Sequence, residues 1–166
     1  MQRELVIIAH NVRSAHNVGS LLRTADGLGV VKVCLTGYTP YPQRDSDARL
    51  PHEALRVAKR ILKTSLGAEN FIPWEHYDEV QQAISELHKN NFAVIALEQT
   101  PDAISLSDYT VPDRLALIVG REVEGIEPAV LVQTDARVVI PMFGQKESFN
   151  VAQAAAMALY HCRFAP

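Results

Sequence analysis

The sequence predicts an α/β domain built on a mostly parallel sheet flanked by helices. Three observations carry that expectation. Five short apolar runs, ELVIIA, VVKVCL, FAVIAL, RLALIVG and ARVVIPM, read as strands. Segments of helical periodicity alternate with them, which is the pattern of a sheet with helical crossovers. No internal repeat, low-complexity tract or linker interrupts the 166 residues, a length suited to one domain with a substantial core.

Each element follows in order. After ELVIIA, a helix over Asn17–Leu28 places Val18, Leu21, Leu22, Ala25 and Leu28 on one stripe, with Asn17 positioned to cap it. Gly19 in its first turn lets a neighbour approach the backbone closely. Gly27 and Gly29 follow a helix instead of opening one, so they read as a helix stop with Gly29 near C′, not as a dinucleotide fingerprint. VVKVCL comes next, then the long proline-rich loop TGYTPYPQRDSDARLP, which carries Arg44 and Arg49. A helix over about His52–Ser65 has Leu55, Ala58, Ile61 and Leu62 as its apolar side. Arg56, Lys59, Arg60 and Lys63 share another face at i, i+3, i+4, i+7 spacing. Further helices are expected over Tyr77–Lys89, briefly after Pro128, and over Val151–Cys162. In the last of these, Val151, Ala154, Ala155, Ala158 and Leu159 form an alanine-rich face.

Charge is unevenly spread. The net value of −3 conceals ten Lys/Arg against five Asp/Glu in residues 1–66, three against thirteen in 67–135, and three against one in 136–166. The stripe on the second helix is either a solvated face or a contact for a polyanion, since clustered cations gain affinity through counterion release whatever the total charge. Cys34 and Cys162 form no Cys-x-x-Cys or Cys/His cluster, which predicts no disulfide framework and no structural metal, and fits a reducing cytoplasm. The start MQRELVIIAH is too quickly polar for a signal peptide, and no apolar run is long enough for a membrane span. A phosphate-binding loop of the Gly-x-x-x-x-Gly-Lys type, a Gly-x-Ser-x-Gly elbow and metal-ligand histidine spacing are all absent from the sequence, so nucleotide hydrolysis and Ser/His acyl chemistry lose support.

Three polar islands exceed what folding needs. The first is NVRSAHNVGSLLR, with Asn11, Arg13, Asn17 and Arg23; Arg23 could simply pair with Asp26 at i+3. The second is GREVEG, where a buried-looking strand ends at Gly120 and Glu122 follows. In the third, IPMFGQKESFN, Ser148 and Asn150 open the last helix as a turn residue and a cap, or as more than that. In this order, N-x₅-R, G-x-E-x-x-G, and I-P-M followed by S-x-N resemble the three motifs of the SPOUT superfamily of methyltransferases. The likeness is to the TrmH-like group of RNA ribose 2′-O-methyltransferases, and it runs from about Val6 to the C-terminus. Arg121 and Val123 stand where relatives often carry smaller residues.

The resemblance implies a deep trefoil knot near the C-terminus, S-adenosylmethionine as methyl donor, and a homodimer in which the RNA side of one subunit meets the cofactor site of the other. It implies donor contacts around Leu97, Gly120, Ile140, Met142 and Phe149, and a catalytic set of Arg23, Asn17, Glu122, Ser148 and Asn150. In such relatives the arginine equivalent to Arg23 is discussed as the general base; because a guanidinium is effectively always protonated, the favoured alternative here is that Arg23 binds phosphate and stabilises developing alkoxide charge. Ser148 and Asn150 orient the hydroxyl, and Glu122 positions Arg23 or its loop. Apart from the resemblance, the charge spacing makes Arg56, Lys59, Arg60 and Lys63 the candidate RNA contacts if their stripe is more than a solvated face. Asn11 and Arg13 are either further RNA contacts or loop hydrogen-bonding groups.

The expected protein is thus a cytoplasmic single SPOUT domain, residues 1–166, without an appended RNA-binding domain. It modifies tRNA in preference to rRNA, with no membrane and no metal. The competing readings are a catalytically idle RNA-binding module of the same fold and a small-molecule methyltransferase.

Overall fold

The computed structural model describes residues 3–165. A seven-stranded sheet forms the centre: β1 (Glu4–His10), β2 (Lys32–Thr36), β3 (Trp74–Tyr77), β4 (Ala93–Leu97), β5 (Ile104–Ser105), β6 (Arg114–Val119) and β7 (Ala136–Val139). All neighbours pair in parallel, in the order β3-β2-β1-β6-β4-β7-β5. The helices are α1 (Ala15–Gly27), α2 (Pro51–Ser65), α3 (Val80–Lys89), α4 (Pro128–Leu131) and α5 (Val151–Phe164).

Side chains of a strand alternate between faces, and here both faces are covered. Leu5, Ile7 and Ala9 of β1, with Leu115, Leu117 and Val119 of β6, pack with the apolar residues of α1 and α5. Val6 and Ile8, with Ala116 and Ile118, pack instead with Val80, Ala83, Ile84 and Leu87 of α3 and Val130 and Leu131 of α4. That double coverage is why the central runs are continuously apolar. The five predicted strands and five predicted helices are all present. β3 and β5 were not expected. Both lie at sheet edges, where WEHY alternates in burial and Ile104–Ser105 is only a two-residue ladder, so neither carries an apolar run. Tyr77, expected to begin a helix, ends β3 instead.

Two helix details also differ. α1 starts at Ala15, because Ser14 is the cap and its side chain accepts from the Asn17 backbone N–H; Asn17 lies inside the first turn. In α2, Leu55 and Leu62 are 46% and 48% exposed, while Ala54, Ile61 and Ser65 form the buried side. The reason is that α2 packs on α1 at Gly19. A Cβ there would lie 2.2 Å from Thr64 Oγ1 and 2.3 Å from the carbonyl O of Ile61, so the close neighbour of this glycine is a helix backbone. Gly29, with φ +63°, does follow the α1 terminus as the sequence predicts.

Gly19→Ala forces α1 and α2 apart, because the Ile61 carbonyl cannot rotate away. The expected loss of stability is about 2 kcal/mol, typical of overpacking, read from urea denaturation. An unchanged midpoint would refute the tight helix contact.

Candidate active site

The C-terminal ends of β1, β4, β6 and β7 lie at one edge of the sheet, where ligands of open parallel sheets bind. β1 ends at His10, whose buried ring meets Thr36 Oγ1 at 2.9 Å and Glu127 Oε2 at 3.0 Å. Burial lowers the His10 pKa, and the Glu127 carboxylate beside it works in the opposite direction. Asn11 follows in the left-handed region, φ 55°. Its Oδ1 accepts from Tyr38 N at 3.1 Å and its Nδ2 donates to Glu127 Oε1 at 3.2 Å, so its amide is engaged within the loops. The Arg13 guanidinium, exposed, pairs with Glu124 at 3.2 Å.

The chain then turns into α1, and the loop after β6 meets it there. Glu122 Oε1 accepts from Asn17 Nδ2 at 2.9 Å and from Ser14 N at 3.3 Å, and Oε2 accepts from Arg13 N at 3.3 Å. A carboxylate suits a helix N-terminus, where N–H groups lack partners and the dipole is positive. Burial opposes the Glu122 charge, but the Asn17 amide and the backbone N–H groups of Glu122 itself, Arg13 and Ser14 outweigh it and hold the pKa below its usual value. Asn17 Oδ1 in turn accepts from Asn150 Nδ2 at 3.1 Å, and Asn150 Oδ1 caps α5 by accepting from Ala152 N at 3.0 Å. Glu122, Asn17 and Asn150, from three islands more than 100 residues apart in part, thus form one hydrogen-bonded chain.

Beside that chain lies a cleft of about 250 Å³, lined by Leu97, Gly120, Ile140, Ser148 and Phe149 among the predicted residues, and by Glu122. Met142 is half-buried and lies outside this lining. Sequence reasoning did not pick out Glu98, Gln99 and Glu147, which also line it. The signal available was position, since Glu98 and Gln99 directly follow an apolar strand run. Glu98 Oε2 accepts from Ile126 N at 2.8 Å, tying the loop after β4 to the loop after β6. Gly125 is needed there, because its φ is +69° and a Cβ would lie 2.2 Å from that same oxygen. Space beside Gly120 is likewise filled from within, by Ile126 at 2.6 Å from a would-be Cβ. Arg121 turns to Glu127 at 3.3 Å, and Val123 is 88% exposed. The lining thus combines apolar Leu97, Val119, Val139, Ile140 and Phe149 with the carboxylates of Glu98, Glu122, Glu124 and Glu147 and one cation, Arg121.

Arg23 lies elsewhere. It is exposed on α1 and shares a second depression with Ser20, Thr24, Lys63 and Thr64. It makes no pair with Asp26. Arg56, Lys59, Arg60 and Lys63 are all exposed and likewise have no ion-pair partner among the described residues. By contrast, Lys32, Arg49, Arg114, Arg121 and Arg137 are each paired with a carboxylate. Among the described residues no cluster of three or more His, Cys, Asp or Glu could hold a metal ion, and no helix is long and apolar enough to cross a membrane.

The family model described as the SpoU rRNA Methylase family matches residues 4–160. The chain is 27% identical over 164 residues to a tRNA (guanosine(18)-2′-O)-methyltransferase of Aquifex aeolicus, a match covering 98% of this chain and 70% of that protein. It is 30% identical over 155 residues to a putative TrmH family tRNA/rRNA methyltransferase of Staphylococcus epidermidis, covering 93% of this chain and 56% of that one. The chain therefore spans between about half and 70% of the length of these curated relatives. An AdoMet-bound rRNA methyltransferase from Sinorhizobium meliloti superposes with a TM-score of 0.83 at 21% identity, over 98% of this chain and 57% of the other. A structure concerned with 2-OH methylation of C/U34 on tRNA gives 0.74 at 22% identity, over 96% and 94%. At these identities the two structures speak for the fold.

Replacing the carboxylate tests the junction. Because the folded pKa of Glu122 is lowered, its stabilising contribution is complete above the ordinary carboxylate pKa and is lost as pH falls through the folded value. Glu122→Gln should cost about 1–3 kcal/mol at pH 7 and less at pH 3.5, measured by urea unfolding at both. A cost that does not shrink on acidification would refute the assignment.

Proposed function

Because the chain belongs to the SpoU rRNA methylase family, in the TrmH-like group of the SPOUT superfamily, we propose that it methylates a ribose 2′-hydroxyl of structured RNA with S-adenosylmethionine as donor, tRNA being favoured over rRNA. The observation that carries the reading is the Glu122–Asn17–Asn150 chain, which joins the three motif segments at the mouth of the strand-end cleft. The cleft fits the donor's chemistry. Its apolar walls suit an adenine, and its carboxylates suit a ligand carrying sulfonium and ammonium charges. Leu97, Gly120, Ile140 and Phe149 would hold it. Met142, outside the lining, belongs to the proposed set only as part of the loop that carries Phe149. The names of the relatives, with tRNA and rRNA methyltransferases among them, support an RNA substrate.

When bound, the donor supplies an electrophilic methyl group; the chain must bring a ribose oxygen in line with it and manage the hydroxyl proton. Ser148, exposed at the cleft, orients the hydroxyl. Asn150 acts as a positioning residue, since both ends of its amide are engaged. Glu122 acts through α1, whose N-terminus it holds, and α1 carries Arg23 two turns on. Arg23 binds the neighbouring phosphate and stabilises the developing alkoxide. Its placement outside the cleft lining of its own chain supports a homodimer in which a second copy completes the site. The exposed Met157, Tyr160 and Phe164 of α5 offer apolar surface for that contact.

The knot belongs to the same reading. It is supported by the position of β7, on the far side of β4 from β6, and by convergence of the loops after all three strands on one cleft. In this reading residues 1–166 form one SPOUT domain, and α2 takes the role of an RNA-gripping element. Asn11 and Arg13 are then loop residues at the rim, each tied to a carboxylate.

Nucleoside mass spectrometry of RNA treated with the protein and S-adenosylmethionine should show one ribose-methylated nucleoside, and Arg23→Lys should slow single-turnover transfer about a hundredfold. Absence of any new nucleoside, with no calorimetric heat from the donor at millimolar concentration, would leave the idle-module reading. Lys59→Ala should lower the slope of log affinity for RNA against log salt by about one, and an unchanged slope would make the stripe a solvated face.

A further inference from the structure

The strand-end cleft accounts for a methyl donor, but it does not account for the cations gathered where α1 meets α2. There Ser20, Arg23 and Thr24 line one depression of about 460 Å³ together with Lys63 and Thr64. Arg23 and Lys63 are exposed, and neither has a hydrogen-bond or ion-pair partner among the described residues. The hydroxyls of Ser20 and Thr24 are equally free of partners there. Thr64 differs: its hydroxyl donates to the carbonyl of His16 at 2.8 Å and so ties α2 to the first turn of α1. With the side-chain-free position Gly19 beneath it, this bond sets how closely the two helices approach.

Such a place has two full positive charges and two hydroxyl donors, and no carboxylate lines it. Two unpaired cations held near each other repel and are tolerated only because water screens them. An anion between them removes that repulsion and takes up all four donor groups. A guanidinium fork and an ammonium together match the tetrahedral oxygens of a phosphate, which accept from several directions at once. Arg56, Lys59 and Arg60 differ in kind, since they do not line this depression.

We propose that the depression between α1 and α2 is a phosphate subsite, in which Arg23 and Lys63, aided by Ser20 and Thr24, grip one phosphodiester of the RNA strand. The proposal deepens the RNA reading above and rests on it for the identity of the strand. It adds Lys63, Ser20 and Thr24 as groups that fix the register of the substrate, and gives Gly19 and Thr64 the task of setting the width of the grip.

The test uses inorganic phosphate as probe, at constant ionic strength, followed by NMR of the ¹⁵N-labelled full chain. Signals of Ser20, Arg23, Thr24, Lys63 and Thr64 should move together on one saturating curve. Lys63→Gln should weaken the binding about tenfold or more, whereas Lys89→Gln, on the distant α3, should leave it within about twofold. No saturation at 100 mM (a concentration about tenfold above that expected for such a site), or equal binding by Lys63→Gln, overturns the proposal. A second arm adds a short RNA. If it displaces phosphate from the same five residues, the site takes a strand phosphate; if phosphate binds and RNA leaves it in place, the assignment to RNA is overturned. Neither arm contains a methyl donor, so failure here is distinct from failure of the methyl-transfer reading, which calorimetry and mass spectrometry address.

Discussion

The structure depends on one carboxylate placed at one helix N-terminus. Glu122 reaches from the loop after β6 to the start of α1 and accepts hydrogen bonds from two backbone N–H groups and the Asn17 amide. Without it, the backbone N–H groups of Arg13 and Ser14 at the entry to α1 would lose their acceptor, and the Asn17 side chain would lose the carboxylate it donates to. Asn17 accepts from Asn150, and Asn150 caps α5, so the same hydrogen-bonded chain links the carboxylate to the start of the last helix. The bonds are charge-assisted, which makes them both stronger and more directional than neutral ones. A junction of this kind is also selective about protonation. The N–H groups that surround Glu122 stabilise its anion, and a protonated carboxyl could not satisfy them all.

The second organising feature is the separation of charge. Glu98, Glu122, Glu124 and Glu147 gather around the strand-end cleft, while Arg23, Arg56, Lys59, Arg60 and Lys63 stand unpaired on the α1–α2 surface. Elsewhere the cations are mostly consumed by local carboxylates or backbone carbonyls, as in the Lys32 and Arg163 networks. A net charge of −3 would predict repulsion from a polyanion. The distribution permits attraction instead, since a field at the surface is set by nearby charges within a screening length of about 8–10 Å. One small domain can then offer a cationic ligand and a polyanion separate places.

Much of this was legible in the residues themselves. The central strands announced themselves because burial on both faces demands unbroken apolar runs, and α5 because its alanine-rich face has helical spacing. The edge strands β3 and β5 did not, since an edge needs few apolar side chains and its identity comes from a neighbour's hydrogen bonds. The Asn17 cap was displaced locally, because Ser14 three residues earlier takes the capping position, while the role Asn17 does have, holding Glu122, depends on a residue 105 positions away in sequence. Glu98 escaped notice because its task, holding the loop around Gly125, exists only once β4 and β6 lie side by side.

Sequence alone determined the α/β class, the elements with a strong apolar period, and the three polar islands with their order. These are properties of a residue and its near neighbours, and propensity and periodicity express them directly. Tertiary structure alone decided which polar groups meet: that Glu122 serves Asn17, that Arg23 stands apart from the cleft of its own chain, and that the face of α2 next to Gly19 is the one buried. A hydrogen bond or a helix contact is fixed by a few tenths of an ångström between groups far apart in the chain. No local pattern carries that distance, and only the packed sheet and its helices set it.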